Sequence, residues 1–232
     1  MKMLTCKIIY FDMDGTLVDY ESDAAHAFGK ACEHALEGHP DAADKLTVDV
    51  FRRSREATYI RYGDTGIPIK DWYSECMRTV LESVGIFDAD LAGRMGELYG
   101  LFRNTTLKVF DDALEVVPRL ANRYRLGLIS NGSSKVQKLP IAEYFAYSVY
   151  AREVGHEKPA PEIFHAAAAL AGCRNSEMLY VGDGQYTDIL GAKNAGVEIV
   201  WINRTEADLL TGIPRPDHEI RDLREIYRIA PI

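Results

Sequence analysis

The second half of the sequence alternates between helix-like segments and short apolar segments typical of strands. The strand-like segments are Arg125–Ile129, Ser148–Tyr150, Met178–Val181 and Glu198–Ile202. The helix-like segments around them are Asp112–Asn122, Lys135–Tyr144, Pro161–Ala171, Thr187–Ala195 and Asp222–Ile229. Because neighbouring parallel strands need a long crossover between them, this alternation predicts a parallel sheet with helices on both faces. The expected fold class is therefore α/β, with a doubly wound core.

The first half of the sequence has a different pattern. Residues 7–11 form one short apolar run that reads as a buried strand, and residues 18–105 have a helical pattern. Four helices are predicted there: Ala24–Leu36, Val48–Ile60, Asp71–Val84 and Ala89–Phe102. We therefore predict an α/β core formed by residues 1–17 and 106–232. Residues 18–105 would be an all-helical domain inserted after the first strand.

Two carboxylates follow the first predicted strand. Asp12 and Asp14 are spaced two apart, so their side chains point to the same side of an extended chain, and Gly15 lets the chain turn away. Ligands of open α/β sheets bind at this end of the strands. Two carboxylates there suit a divalent metal, or a nucleophile beside a general acid or base, although Asp-Gly is also ordinary turn chemistry. A calcium-binding loop is excluded, because Leu17 stands where that loop needs glycine and Asp23 where it needs glutamate.

Polar residues recur near the ends of later predicted strands. Ser130 and Asn131 follow one strand, where a hydroxyl and successive N–H groups could form a phosphate cradle or only cap a turn. Lys158 precedes a proline that keeps it out of helical geometry, so its ammonium could reach inward, although most lysines are solvated. Asp183 should lie directly beyond another strand. Asp188 could join the same site or only favour the first turn of a helix.

These motifs, in this order, resemble those of the haloacid dehalogenase-like hydrolase superfamily. The matching segments are Asp12–Leu17, Ile129–Gly132, Glu153–Pro159, Ile163–Phe164, Gly182–Asp183 with Asp188, and Gly191–Ala192. They extend over the whole predicted core, and the helical insertion resembles the small helical cap of the superfamily's phosphatases. The resemblance implies a Rossmann-like fold and an enzyme that hydrolyses phosphoric monoesters.

The resemblance also implies catalytic roles. Asp12 would attack the phosphorus of a phosphomonoester and form an aspartyl-phosphate. Asp14 would protonate the leaving alcohol and later activate the water that hydrolyses the intermediate. Ser130, the main-chain N–H of Asn131 and Lys158 would bind the phosphoryl oxygens and stabilise their charge.

Mg²⁺ is the cofactor that the resemblance implies. The Asp12 carboxylate, the main-chain carbonyl of Asp14 and Asp183 would hold it, while Asp188 would orient a metal-bound water or Lys158. An all-oxygen ligand set suits Mg²⁺, and the sequence has no histidine and cysteine cluster that would favour zinc.

The same motifs discriminate among the activities of the superfamily. Haloacid dehalogenases need no metal and lack the second aspartate. Because Asp14 and Asp183 are both present here, the resemblance argues against a dehalogenase. Ion-pumping ATPases carry Lys-Thr after the nucleophile, where this chain has Met13 and Asp14. Phosphosugar mutases share the core motifs and stay open as an alternative. A non-catalytic regulator also stays open, although no core carboxylate is missing.

Within the superfamily, Ile129–Gly132, Glu153–Gly155 and Trp201–Arg204 look most like the nucleoside 5′-monophosphate phosphatases. The expected substrate is a small phosphorylated metabolite, with a nucleoside 5′-monophosphate favoured over sugar phosphates, phosphoglycolate and triose phosphates. The candidate substrate-binding residues of the helical domain are Arg52, Arg55, Tyr59 and Trp72. Such residues could stack on a base and bind a second anion, or could only pack and solvate the helices. The short segment between Ser130 and Glu153 predicts a truncated helix.

Composition argues against several other classes of protein. A net charge of −8 argues against a nucleic-acid binder, which needs a basic surface. No apolar run approaches the roughly 20 residues of a membrane helix. Lys7 and Asp12 interrupt the apolar stretch that a signal peptide would need. We therefore expect a cytoplasmic protein, monomeric or homodimeric, that binds a small phosphorylated metabolite and neither nucleic acid nor a membrane.

Overall fold

The computed structural model describes residues 7–36, 42, 44–62, 69–103, 107–132 and 135–232, with the side chains of residues 59, 60, 69 and 70 outside that description. The chain divides into two units. The first, called the core unit below, consists of Met1–Tyr20 and Leu107–Ile232, and the second, called the helical unit, is Glu21–Thr106. None of the helices in the described ranges is both long enough and apolar enough to span a membrane.

Within the described residues, the core unit contains one six-stranded sheet in which neighbouring strands are all parallel. The strands are β1 (Ile8–Phe11), β2 (Arg125–Ser130), β3 (Phe145–Tyr150), β4 (Met178–Gly182), β5 (Glu198–Ile202) and β6 (His218–Ile220). Their order across the sheet is β3-β2-β1-β4-β5-β6. This arrangement confirms the predicted doubly wound α/β fold.

Helices cover both faces of the sheet. The α-helices of the described residues divide between the two units. Apart from Tyr20, the helical unit contains α1 (Tyr20–Ala35), α2 (Val48–Tyr62), α3 (Ile69–Ser83) and α4 (Ala89–Phe102). The core unit contains α5 (Asp111–Ala121), α6 (Ala151–Val154), α7 (Pro161–Ala171) and α8 (Gly191–Ala195). On one face, Ile9 and Phe11 of β1 belong to a buried apolar cluster with α5. On the other face, Ile8 and Tyr10 are buried with α7 and α8. Successive side chains of β1 point to opposite faces of the sheet. Because helices cover both faces, the strand is apolar throughout.

The segment predicted as one helix over Lys135–Tyr144 has a different form. It contains two 3₁₀ turns, Val136–Lys138 and Ala142–Tyr144. Leu139, between them, is extended at φ −92° and ψ 146°. Pro140 causes the interruption, because proline lacks an N–H group and disfavours helical geometry in the residue before it.

The last two predicted helices also differ from expectation. The helix predicted over Thr187–Ala195 begins earlier, as a π-helical turn over Gln185–Leu190 that leads into α8. This wide turn places the Asp188 carboxylate 2.8 Å from the Gly184 N–H, from which it accepts a hydrogen bond. The final helix is a 3₁₀ segment, Leu223–Arg228. The short elements β6 and α6 were not predicted, because three or four residues show no periodic pattern.

Aromatic side chains form much of the interior of the helical unit. The rings of Phe28 and Phe51 stack with their centroids 4.5 Å apart, and Tyr99 packs against Phe51 with a centroid distance of 5.5 Å.

Helix α4 begins after Asp88, whose carboxylate accepts a hydrogen bond from the Leu91 N–H at 2.8 Å. That side chain satisfies one of the N–H groups that a helix leaves unpaired at its start.

A buried ion pair connects the first and last helices of the helical unit. The Arg103 guanidinium, at the end of α4, pairs with the Asp23 carboxylate of α1, and their side chains are only 5% and 0% exposed. The Arg103 guanidinium also lies 5.9 Å from the centroid of the Tyr99 ring. Removing one member of a buried pair costs far more than removing one member of an exposed pair.

Replacing Asp23 with alanine is expected to lower the free energy of unfolding by about 3–5 kcal/mol, because the buried guanidinium loses its carboxylate. Urea unfolding followed by circular dichroism measures this change. Glu33→Ala is the matched control, since the Lys30–Glu33 pair is exposed at 39% and 61% and its loss should change the free energy of unfolding far less. Equal losses in the two variants would contradict the prediction.

Candidate active site

Three adjacent strands carry predicted site residues to one edge of the sheet. β1 lies between β2 and β4, and Asp12 follows β1, Ser130 ends β2 and Asp183 follows β4. The Asp12 N–H donates a hydrogen bond to the Val181 carbonyl at 2.8 Å, so pairing continues to the first aspartate. The fold therefore places three distant parts of the sequence together at the carboxyl ends of the strands.

The Lys158 ammonium lies among these strand ends. It is buried, and its Nζ lies 2.6 Å from Asp12 Oδ1, 2.7 Å from Asp188 Oδ1 and 2.8 Å from the Tyr180 hydroxyl. The Ile129 carbonyl, at 3.3 Å, is a further acceptor. Burial alone would lower the pKa of this ammonium, but the two carboxylates outweigh that effect and raise the pKa above its usual value. Lys158 is therefore positively charged throughout the physiological pH range.

The Asn131 side chain holds the main chain of Lys158. Its Oδ1 accepts a hydrogen bond from the Lys158 N–H at 2.8 Å, and its Nδ2 donates to the Lys158 carbonyl at 3.0 Å. These two bonds fix the lysine relative to the end of β2. From the sequence, only the Asn131 N–H was expected to have a role, and this role of the side chain was not predicted.

Tyr180 is a residue of the candidate site that was not predicted from the sequence. Its hydroxyl accepts a hydrogen bond from Lys158 Nζ and donates one to Asp188 Oδ1 at 2.9 Å. Burial, followed by the charges of Asp188 and Asp12, raises the pKa of the Tyr180 hydroxyl well above its usual value, so it stays protonated and able to donate. In the sequence, a tyrosine within an apolar strand reads as a core residue. A hydroxyl near the end of the strand that leads into Asp183 is the only signal.

Three aspartates form an oxygen-rich cluster. Asp12, Asp183 and Asp188 each offer one carboxylate oxygen, and these oxygens lie within 4.8 Å of one another. Burial is the main reason that the pKa of Asp12 lies well above its usual range and that the pKa of Asp183 rises to about 7. The negative charge of Asp188 raises both pKa values further. A divalent cation would relieve this crowding of negative charge, and carboxylate oxygens are ligands that Mg²⁺ prefers. The donor set therefore fits Mg²⁺.

Two glycines allow the chain to approach the carboxylates closely. Gly15 has a left-handed conformation, with φ 85°, and a Cβ atom there would overlap the Asp183 carboxylate. The Gly132 N–H donates a hydrogen bond to Ser130 Oγ at 3.0 Å, and a Cβ atom at Gly132 would lie 2.6 Å from Asp14 Oδ2. The Asp14 carboxylate thus lies beside the loop that carries Ser130. Alanine at either glycine would displace a carboxylate of the site.

Three of the predicted substrate-binding residues, Arg52, Arg55 and Trp72, have partners within the helical unit. Arg55 pairs with Glu21, and Arg52 Nε lies 3.6 Å from the same carboxylate. Trp72 lies edge-on to a neighbouring tyrosine, with ring centroids 6.0 Å apart. The side chain of Tyr59 lies outside the described residues. Arg52 also pairs with Asp49 at 3.0 Å, so both arginines already have carboxylate partners. A role of these four residues in substrate binding stays a prediction.

Comparison with known proteins gives consistent matches. Residues 6–196 match the family model described as haloacid dehalogenase-like hydrolase. N-acylneuraminate-9-phosphatase of Mus musculus is 28% identical, with 97% of this chain and 94% of that protein aligned. Glyceraldehyde 3-phosphate phosphatase of Methanopyrus kandleri is 34% identical, with 93% and 91% aligned. Among solved structures, the HAD-hydrolase YfnB of Bacillus subtilis, determined with bound magnesium, superimposes with a TM-score of 0.81 at 21% identity, covering 98% and 99% of the two chains.

The family match extends over most of the chain and includes each core motif, from Asp12 to Ala192. The curated relatives align along nearly their whole length. The parallel sheet, with its carboxylates at the strand ends, is the arrangement that the family resemblance implied. The chain belongs to the haloacid dehalogenase-like hydrolase family.

Proposed function

We propose that this protein is a magnesium-dependent phosphatase that hydrolyses a small phosphomonoester through an aspartyl-phosphate formed on Asp12. The observation that carries the proposal is the setting of the Asp12 carboxylate. It follows β1, lies 2.6 Å from a buried ammonium, and belongs to a cluster of three aspartates. The names of the two curated relatives, both phosphatases of small phosphorylated metabolites, support the same reaction.

In the first half of the proposed reaction, an Asp12 oxygen forms a bond to phosphorus while the bond from phosphorus to the leaving alcohol breaks. The Lys158 ammonium favours the ionised form of Asp12, because it donates a hydrogen bond to Oδ1. Asp14 gives its proton to the departing alcohol oxygen. Ser130 and the Asn131 N–H bind the phosphoryl oxygens, whose negative charge they stabilise.

In the second half, water attacks phosphorus and gives a proton to Asp14, while the bond between Asp12 and phosphorus breaks. The products are inorganic phosphate and the original carboxylate. Asp188 keeps the Lys158 ammonium in place through its 2.7 Å contact. When bound, Mg²⁺ would be held by Asp12, Asp183 and the Asp14 carbonyl. It would offset the negative charges of the Asp12 carboxylate and the phosphoryl group.

We further propose that the substrate is a phosphorylated sugar, sugar acid or triose. The relatives named for N-acylneuraminate 9-phosphate and glyceraldehyde 3-phosphate support this class. The nucleoside 5′-monophosphate favoured by the sequence motifs stays a prediction. The helical unit is proposed to act as the cap that selects among these substrates, with boundaries near residues 17 and 106.

A panel assay of inorganic phosphate release tests both parts of the proposal. The panel contains sugar 9- and 6-phosphates, triose phosphates, phosphoglycolate and nucleoside 5′-monophosphates, each with and without Mg²⁺. We expect magnesium-dependent release that is strongest on one sugar or triose phosphate. Transfer of the phosphoryl group within the substrate, without release, would instead identify a mutase. No turnover of any substrate by folded protein would contradict the proposed reaction.

Replacing Tyr180 with phenylalanine should lower kcat about tenfold, equivalent to roughly 1.4 kcal/mol, because the Lys158 ammonium and Asp188 lose a shared hydrogen-bond partner. Steady-state phosphate release measures the effect. Tyr10→Phe is the matched control, since the Tyr10 hydroxyl is also buried and donates to the Ala167 carbonyl at 2.8 Å. That variant should lose stability but keep the wild-type kcat. Unchanged kcat in Tyr180→Phe would contradict the role of the hydroxyl.

A further inference from the structure

The motif Trp201–Arg204 at the end of β5 has no part in the mechanism above. β5 pairs with β4, with Gly182 opposite Trp201, so the motif begins beside Asp183. Asn203 is buried, and its side chain both accepts a hydrogen bond from the Ala207 N–H and donates one to the Ala207 carbonyl, each at 2.9 Å. The path of the chain beyond β5 is therefore fixed.

Asp183 is held at both its main chain and its side chain. The Trp201 indole N–H donates a hydrogen bond to the Asp183 carbonyl at 3.0 Å. The Thr16 hydroxyl, which is fully buried, donates to Asp183 Oδ1 at 2.8 Å. Because one carboxylate oxygen is fixed by the hydroxyl, the rotation of the whole carboxylate is fixed as well.

Arg204 in turn holds the main chain of Thr16. Its Nη2 donates a hydrogen bond to the Thr16 carbonyl at 2.9 Å. The same guanidinium forms a two-point ion pair with Asp112, at 2.8 and 3.1 Å, and its central carbon lies 4.0 Å from the Phe110 ring centroid. Asp112 is itself fixed by the Leu223 N–H at 2.7 Å. A planar guanidinium with these contacts has one orientation, which the point charge of a lysine cannot reproduce.

We infer that Arg204 is a positioning residue for the metal site, because it fixes the Thr16 main chain and, through the Thr16 hydroxyl, the Asp183 carboxylate. The inference rests on the proposed function, which assigns Asp183 to the metal. Arg204 touches no reacting atom in this scheme. Replacing Arg204 should therefore weaken metal binding first. Even the conservative replacement by lysine should lower the metal affinity.

Binding of Mn²⁺ to protein stripped of metal, followed by the electron paramagnetic resonance signal of the free ion, tests the inference without turnover. We expect Arg204→Lys and Thr16→Val each to weaken Mn²⁺ binding about tenfold. Thr16→Ser retains the hydroxyl and should bind as the wild type does. Because Arg204 acts through Thr16, the double variant Arg204→Lys/Thr16→Val should bind no more weakly than Thr16→Val alone.

Arg224→Lys is the matched control. Arg224 also pairs with a carboxylate of α5, with Nε 2.6 Å from Glu115 Oε2, but its side chain is 45% exposed and this pair is separate from Asp183. Its replacement should leave Mn²⁺ affinity at the wild-type value. If Arg204→Lys does not fold, the paired variant Arg204→Gln/Asp112→Asn replaces it, because that change removes both charges together. The paired variant is likewise expected to bind Mn²⁺ about tenfold more weakly.

Two results would overturn the inference and leave the proposed function intact. The first is wild-type Mn²⁺ affinity in folded Arg204 variants, and the second is a double variant whose loss equals the product of the two single losses. Asp183→Asn separates this failure from that of the proposed function. If wild-type protein binds no Mn²⁺, or if Asp183→Asn binds it as tightly, the assignment of Asp183 to the metal and the role of Arg204 both fail.

Discussion

Replacing Asp12 with asparagine is expected to lower kcat for phosphate release by on the order of 10⁴-fold or more, because an amide cannot form the aspartyl-phosphate. The substitution changes the volume of the side chain little. It also removes one of three crowded carboxylates, while Lys158 keeps its 2.7 Å contact with Asp188. The variant should therefore fold, and its lost activity should report chemistry rather than unfolding. Phosphate release at saturating substrate and Mg²⁺ measures the effect.

Asp90→Asn is the control for that experiment. Asp90 is an exposed aspartate in the first turn of α4, so the same chemical change there should leave kcat unaltered. Urea unfolding of both variants verifies that each is folded. Retention of more than about a hundredth of the wild-type kcat by Asp12→Asn would show that this carboxylate is not the nucleophile.

Replacing Lys158 with methionine should lower kcat about 10³-fold, because the proposed transition state loses a positive charge beside the phosphoryl oxygens. The free energy of unfolding should also fall, by about 3 kcal/mol, since the buried Asp12 and Asp188 carboxylates lose their ammonium. Because the pKa of Lys158 is raised, its proton stays bound as pH increases, and the wild type should show no loss of activity from lysine deprotonation up to about pH 9. Kinetics and urea unfolding at several pH values test these expectations.

Lys193→Met provides a matched comparison. Lys193 also pairs with an aspartate, Asp217, at 2.6 Å, but its side chain is 29% exposed and the pair lies at the start of β5. We expect an unchanged kcat and a loss of stability below about 1 kcal/mol. Similar kinetic losses in the two lysine variants would contradict the special role of Lys158.

The fold could be predicted from the sequence where a segment is long enough for its pattern to be unambiguous. The strands β1, β2, β4 and β5 are buried on both faces, so they stand out as continuous apolar runs between polar residues. The segment Lys135–Tyr144 was predicted wrongly as one helix, because its composition is helical while Pro140 interrupts the main-chain hydrogen bonds. The strand β6, of three residues, pairs only along one edge and has no pattern of its own.

In the candidate site, the positions of several residues could be predicted from the sequence, but the contacts between side chains could not. Asp12, Ser130 and Asp183 could be placed together from the sequence, because parallel strands bring their carboxyl ends to one edge. The contacts that hold those residues in position could not be predicted. Arg204 and Thr16, for example, are 188 residues apart, and their hydrogen bond depends on the direction of one side chain and one carbonyl. No spacing or periodicity in the sequence encodes such a contact.

The most direct test of the proposed mechanism is chemical trapping of the covalent intermediate. Protein turning over its best substrate with Mg²⁺ is quenched in acid and reduced with borohydride, which converts an aspartyl-phosphate to homoserine, and the modified position is then identified by mass spectrometry. We predict homoserine at Asp12, absent when Mg²⁺ is omitted. Phosphate release accompanied by an unmodified Asp12, or by modification of another carboxylate, would contradict nucleophilic catalysis by this residue.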